Sequence, residues 1–289
     1  MLAAQRQELI LDRLRRTGAV RVAELVESLA VSDMTVRRDL DALAARGALR
    51  KVHGGAVAPE GPRTEEPGFE AKSTRQAAEK RAVARAVAGL VEPHTAVGLS
   101  AGTTTAAVAE HLTEVPGLTV VTNSLRVAEV FHESPRPDRT VALTGGFRTP
   151  SDALVGPLAL ASIRGLNLDT LVLGVHGMQE RAGFTTPNLM ESETDRALVE
   201  AAGRLVVAAD HTKWGTVGIS TIAPLERCDV LVTDDGMDAE ARAALAERVG
   251  RLVVADVPGT GPDAEHGEDG EDGGHREHGG DRPTDGEDA

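Results

Sequence analysis

Two parts of the sequence concentrate residue types that grip phosphate and related anions. The first is SDMTVRRDL at residues 32–40, where Arg37 and Arg38 stand side by side. A guanidinium is permanently charged and presents a planar fork of donors, which suits phosphate oxygens and the O6/N7 edge of guanine. The second is a set of short segments rich in glycine, hydroxyls and cations: Ser100, Gly102, Thr103, Thr104 and Thr105; then Asn123; then Gly145, Gly146 and Arg148; then His176 and Lys213. Glycine lets a backbone approach an anion closely, and hydroxyls donate hydrogen bonds. A helix that starts at such a loop adds free amides and its dipole.

These groups act only if secondary structure aims them. Ser32 is a helix N-cap candidate, with Asp33 at the positive end of the helix dipole. Val36, Leu40 and Leu43 then recur at helical spacing and face a core, leaving Met34, Thr35, Arg37 and Arg38 outward or flanking. An Arg-Arg-Asp run also occurs as a plain solvated helix face with local ion pairs. What favours a groove-reading role is the context: a helix starting near Arg21, a tight turn at residues 30–32, then the basic helix. Ahead of it, residues 3–16 form an amphipathic helix stopped at Thr17-Gly18. After it, Gly47 is expected as a left-handed closing residue. Residues 48–57 (ALRKVHGGAV) alternate apolar and basic positions and suggest a two-stranded wing. Its Lys51 and His53 would follow a phosphate strand or the neighbouring minor groove.

The chain has 289 residues, a net charge of −14 and a pI near 5.1, which at first argues against a nucleic-acid partner. The distribution matters more than the sum. Residues 1–57 carry +3 and residues 256–289 carry −10. One cysteine, Cys228, rules out an internal disulfide and a cysteine-built zinc site, and its neighbours place it as a buried, inert thiol. No early stretch has the pattern of a signal peptide and no apolar run is long enough to span a bilayer, so a cytoplasmic protein is expected.

Residues 58–68 (APEGPRTEEPG) read as a linker. A helical pattern returns over residues 69–91. Short apolar runs then alternate with helical ones: residues 95–100, 118–122, 140–144, 168–175, 204–209, 229–233 and 251–255. That order predicts an α/β layer with a mainly parallel sheet, both faces apolar, whose ligand crevice lies at the carboxyl ends of the strands. The anion-gripping segments fall at those ends. Residues 256–289 are acidic, Gly- and His-rich and nearly devoid of apolar side chains, and are expected to be disordered. His266, His275 and His278 offer weak transition-metal ligands at most. No resident metal or cofactor is expected.

The first 57 residues resemble the winged helix-turn-helix of the DeoR family of bacterial transcription regulators. The matching residues are Arg6 and Ile10, VAEL at 22–25, Val31-Ser32, Thr35 through Leu40, and Gly47 through HGGA at 53–56. Residues 69–255 resemble the effector domain of the same family, including LVGPLA at 154–159 and MESETDRALVEAA at 190–202. The family's effector domain shares a fold with ribose-5-phosphate isomerase and coenzyme A transferases and senses sugar phosphates. The resemblance implies a regulator, in the first place a repressor, of carbohydrate genes. It implies double-stranded operator DNA, a phosphorylated sugar and a second copy of the chain as partners, with no catalytic residue. Many relatives carry aspartate where this chain has Ser100, and often where it has His176. Asp39, which follows the two arginines, is expected to orient one of them or to cap a neighbouring helix. A rival reading casts Glu191, Glu193 and Lys213 as an isomerase's acid-base groups; a third leaves the sheet domain only an oligomerising role.

Overall fold

The computed structural model describes residues 2–17, 19–46, 48–52, 54–57 and 68–258. Gly18, Gly47, His53, residues 58–67 and residues 259–289 lie outside the described residues, and with them the helix stop, the closing glycine, one wing residue, most of the linker and the acidic tail expected there.

In the N-terminal module, α1 (Ala3–Thr17), α2 (Val22–Leu29) and α3 (Asp33–Ala45) enclose a small core of Ile10, Leu14, Leu25, Val36, Leu40 and Leu43. Each such side chain contributes about 1.5–3 kcal/mol by leaving water. Ser32 caps α3, its side chain accepting the Thr35 amide. The turn between α2 and α3 is made by Ala30 in the left-handed region, φ 51°. The wing is a sheet of three strands rather than two. β1 (Ala19–Arg21) pairs with β3 (Gly55–Val57), which also pairs with β2 (Arg50–Val52). Three residues between two helices carry no periodicity, so β1 has no signature of its own. Gly55 is required there, because a Cβ would sit 2.2 Å from the Val20 carbonyl oxygen. Val52 faces solvent, and Leu49 alone of the expected apolar pair is buried.

The second unit opens with α4 (Phe69–Ser73) and α5 (Ala77–Ala88), not with one helix over residues 69–91. The break falls at Gln76, in the left-handed region at φ 51°. Then follow β4 (Ala96–Leu99), α6 (Thr103–Leu112), β5 (Thr119–Thr122), α7 (Leu125–Glu133), β6 (Thr140–Leu143), β7 (Phe147–Arg148), β8 (Leu154–Val155), α8 (Pro157–Ile163) and β9 (Leu168–Gly174). The rest comprises β10 (Gly177–Gln179), β11 (Gly183–Thr186), α9 (Leu189–Ala201), β12 (Ala202–Ala208), β13 (Ser220–Ala223), β14 (Val230–Asp234), α10 (Ala239–Ala246) and β15 (Leu252–Ala255).

All seven apolar runs enter one parallel sheet in the order β15-β14-β12-β9-β4-β5-β6. Alternate residues serve opposite faces. Leu171, Leu173, Leu205, Val207 and Leu231 join one core, and Val172, Val206, Ala208, Val230 and Val232 the other. The exception is β6, whose four residues are all exposed because it is the sheet's edge. Two small antiparallel sheets, β7-β8 and β10-β11-β13, lie outside the main one. Beyond β15 the chain stays packed through Val257, which is buried with Ala82 and Ala255. No helix among the described residues is long and apolar enough to cross a membrane.

Candidate functional site

On α3, Met34, Arg37 and Arg38 are exposed and Thr35 is half-buried. Arg37 pairs with Asp33 one turn earlier at 2.6 Å, a local contact that solvent keeps weak. Ser32 and Thr35 share a hydroxyl contact of 2.9 Å as well as the cap. Lys51 of the wing reaches Asp41 at 2.5 Å and stays largely solvated. Asp39 does not orient either arginine. It is buried, pairs with Arg6 of α1 at 2.7 Å and accepts from Gln7 at 3.1 Å. The carboxylate is a bolt between α1 and α3, and its position in the apolar stripe three residues after Val36 was the available signal.

In the sheet unit the chain starts at β4 and builds outward through β5 and β6, then returns to β9 on the other side of β4. That reversal opens a crevice between the carboxyl ends of β4 and β9. Ser100 stands in it, fully buried, its Oγ accepting the Gly174 amide at 2.9 Å. Gly174 also lies against Ala101 and Thr105, where a Cβ would be 3.4 Å from the Thr105 methyl. Gly102, at φ 155°, delivers the chain into α6, whose first turn has no side-chain cap. Thr104 and Thr105 turn inward, and the Thr105 hydroxyl donates to the Gly102 carbonyl at 3.0 Å. The first-turn amides and half-buried Thr103 are therefore the groups this loop offers an anion.

Asn123 is buried at the end of β5, its Nδ2 donating to Leu154 and its Oδ1 without a hydrogen-bond partner. Gly146 is required by packing, since a Cβ would lie 2.4 Å from the Val155 carbonyl oxygen; Gly145 adopts φ 72° with open space around it. Arg148 is exposed and taken up by Asp152 at 2.5 Å, and Arg126 holds the other oxygen of that carboxylate at 2.7 Å. His176 is half-buried, and its amide bonds the Thr185 carbonyl at 3.1 Å. Glu191 accepts from the hydroxyls of Thr149, Ser151 and Thr186 and so anchors a loop.

The end of β12 brings Lys213 into a group that the sequence reading missed. Lys213 lies 3.7 Å from Asp210 Oδ2, a fully buried oxygen with no hydrogen-bond partner. Lys80 of α5 is nearly buried beside them. Burial, then Lys213, Lys72 and Arg75, push its amine down to about 8, with Asp210 opposing them. Burial alone would raise the Asp210 carboxyl, but Lys213, the Thr212 hydroxyl and Lys80 hold it below the usual carboxylate range. Next to it, burial works against protonation of His211, yet its hydrogen bond and charge pairing with Asp234 at 2.6 Å raise its pKa. Lys80 shares a helix face with Val83, Ala84 and Val87, all buried. A lysine in register with an apolar stripe was the legible signal. β9 separates β12 from β4, so the two strands whose ends carry this cluster and the Ser100 loop run two spacings, ~10 Å, apart. Cys228 is buried, and desolvation pushes its thiol up to about 12.

The chain matches two family descriptions: the DeoR-like helix-turn-helix domain over residues 6–61 and the DeoR C terminal sensor domain over residues 75–235. HTH-type transcriptional regulator GlpR of Haloferax volcanii is 37% identical over 244 residues, covering 84% of this chain and 94% of that one. The uncharacterized HTH-type transcriptional regulator YgbI of Escherichia coli K12 is 34% identical over 242 residues, 83% and 93% of the two chains. The glycerol-3-phosphate regulon repressor of the same organism is 31% identical over 235 residues, 81% and 92%. A ribose 5-phosphate isomerase A structure from Methanocaldococcus jannaschii aligns over 47% of this chain and 54% of that one, at 14% identity and a TM-score of 0.35. The winged module, the sheet unit behind it and full-length relatives that are regulators rather than enzymes give one conclusion: the chain belongs to the DeoR family of DNA-binding transcription regulators.

Proposed function

We propose that the chain is a cytoplasmic repressor of carbohydrate genes, released from its operator by a phosphorylated sugar or polyol. The observation that carries this reading is the imbalance at the end of β12. Lys80 and Lys213 flank the Asp210 carboxylate, Lys72 and Arg75 lie close enough to Lys80 to repel it, and the neighbouring Asp234 is taken up by His211; burial and this repulsion already strain the Lys80 ammonium. A site with that excess of cations, two strands along the sheet from the one that leads into the uncapped first turn of α6 at a topological switch point, suits a dianionic phosphate carried on a hydroxylated body. Asp210 and Asn123, each with a buried oxygen lacking a hydrogen-bond partner, are suited to receive sugar hydroxyls. Ser100, Gly102 to Thr105, Gly145, Gly146, Arg148 and His176 line the same edge of the sheet.

In this reading residues 1–57 read DNA and residues 69–255 sense the ligand. α3 enters the major groove with Met34, Thr35, Arg37 and Arg38, while Ser32 and the wing residues Lys51 and His53 meet phosphates. One such module reads few base pairs, so the functional unit is a homo-oligomer presenting at least two. The name of the E. coli glycerol-3-phosphate regulon repressor accords with a phosphorylated polyol theme. The test is a gel shift on DNA upstream of the protein's own gene, challenged with phosphorylated hexoses, pentoses and polyols and their unphosphorylated counterparts. Release by one phosphorylated compound alone supports the reading. Release only by the unphosphorylated forms, or by none, overturns it.

A further inference from the structure

A short helix ties the cation cluster to the chain that leads, in sequence, from the winged module. α4 starts directly after Gly68, and its first residue is clamped from two sides. The Phe69 amide donates to the Pro150 carbonyl at 3.3 Å, and the Arg126 guanidinium lies 5.0 Å from the centre of the Phe69 ring. Arg126 also pairs with Glu70 at 2.7 Å and is itself fixed by Asp152 at 2.7 Å. The opposite end of α4 belongs to the anion site, where the Lys72 carbonyl receives the Lys80 ammonium at 2.5 Å. Just beyond, Gln76 Nε2 lies 3.5 Å from His211 Nε2. With five residues, α4 is ~7.5 Å long, a stiff strut between clamp and site.

Charge gives this strut a direction of movement. Lys72 and Arg75, on α4 and the turn after it, repel Lys80 of α5, as does Lys213 at the end of β12. An anion placed beside Lys80 offsets that repulsion and tightens the hold on α4. We propose that α4 is a strap drawn down by the bound anion, and that Arg126 is the positioning residue holding its far end, so that closure alters how the preceding chain leaves the sensor domain. The inference rests on the phosphate reading above. Arg126 and Glu70 are not among the groups offered to the anion.

The experiment is hydrogen exchange on the full chain with and without saturating inorganic phosphate at constant ionic strength, with Trp214 fluorescence recorded alongside. In the wild type, phosphate slows exchange at residues 102–106, and it slows exchange at residues 68–76 by about fivefold or more, the lower end of an ordinary coupling. Arg126→Ala keeps the response at 102–106 and half-saturation by phosphate within about twofold, but loses protection at 68–76. Glu70→Gln, at an exposed position, gives a smaller version of the same split and stands in if Arg126→Ala does not fold; Arg126→Lys restores part of it. Protection at 102–106 with no change at 68–76 in the wild type overturns the strap and leaves the anion site standing. So does wild-type protection at 68–76 in both Arg126→Ala and Glu70→Gln. No response to phosphate at either segment or in Trp214 overturns the anion site, and the strap falls with it.

Discussion

Replacing Lys80 by methionine is expected to make the protein more stable and less responsive. Methionine conserves volume and length, so the substitution removes a charge without opening a cavity. Lys80 is nearly buried and its amine is depressed from 10.5 to about 8. At 1.36 kcal/mol per unit, that depression corresponds to ~3.4 kcal/mol of strain on the folded state. Burial is not complete, so solvent screening reduces the figure to about 2 kcal/mol. Against this stands the lost bond from the ammonium to the Lys72 carbonyl, worth about 1.5 kcal/mol at the low end for a charged donor. That carbonyl keeps the Arg75 amide as a partner. The net gain of about 0.5 kcal/mol raises Tm by about 1–2 °C for a domain of this size.

The pH dependence separates this cause from general repacking. A lowered folded-state pKa means that the unfolded chain binds more protons between about pH 8 and 10.5, so wild-type stability rises with pH across that window. Below pH 8 the strain is fully present. The advantage of Lys80→Met is therefore largest near about pH 7 and shrinks toward about pH 10. Circular-dichroism melts at both pH values, with and without phosphate, provide the measurement. An equal or absent advantage at the two pH values refutes the burial argument. A phosphate-induced rise in Tm as large in the variant as in the wild type refutes the placement of Lys80 at the anion site.

On α3, Arg38→Ala should cost about 1–3 kcal/mol in operator binding and relax base preference, whereas Lys51→Ala should weaken binding to every sequence and lower the salt slope by about 1. An unchanged footprint and affinity for the first variant would contradict the orientation given to the helix. Asp39→Ala strands the Arg6 guanidinium between α1 and α3 and should destabilise the winged module by about 3 kcal/mol, although Asp39 faces no ligand. A loss of DNA affinity with an unchanged melting profile would show that the carboxylate acts otherwise.

Much of this protein was legible from local pattern. The Ser32 cap and the Val36-Leu40-Leu43 stripe oriented α3, because capping and helical periodicity act within one or two turns. The seven apolar runs marked the seven parallel strands, since a strand buried on both faces needs no partner to be recognised. The glycine and threonine loop after β4 fell at the strand end where the crevice opens. What stayed hidden depends on residues far apart in the chain. β1 exists only because Gly55 lets β3 approach, and Gln76 breaks residues 69–91 into two helices where the chain turns toward His211. β6 lost its expected burial because strand order made it an edge. Asp39 and Lys80 both sat in apolar stripes as visible exceptions, but their partners, Arg6 in one case and Asp210 with the Lys72 carbonyl in the other, were fixed by packing. Periodicity reveals that a charge is turned inward; only the assembled core brings up the opposite charge that makes its burial tolerable.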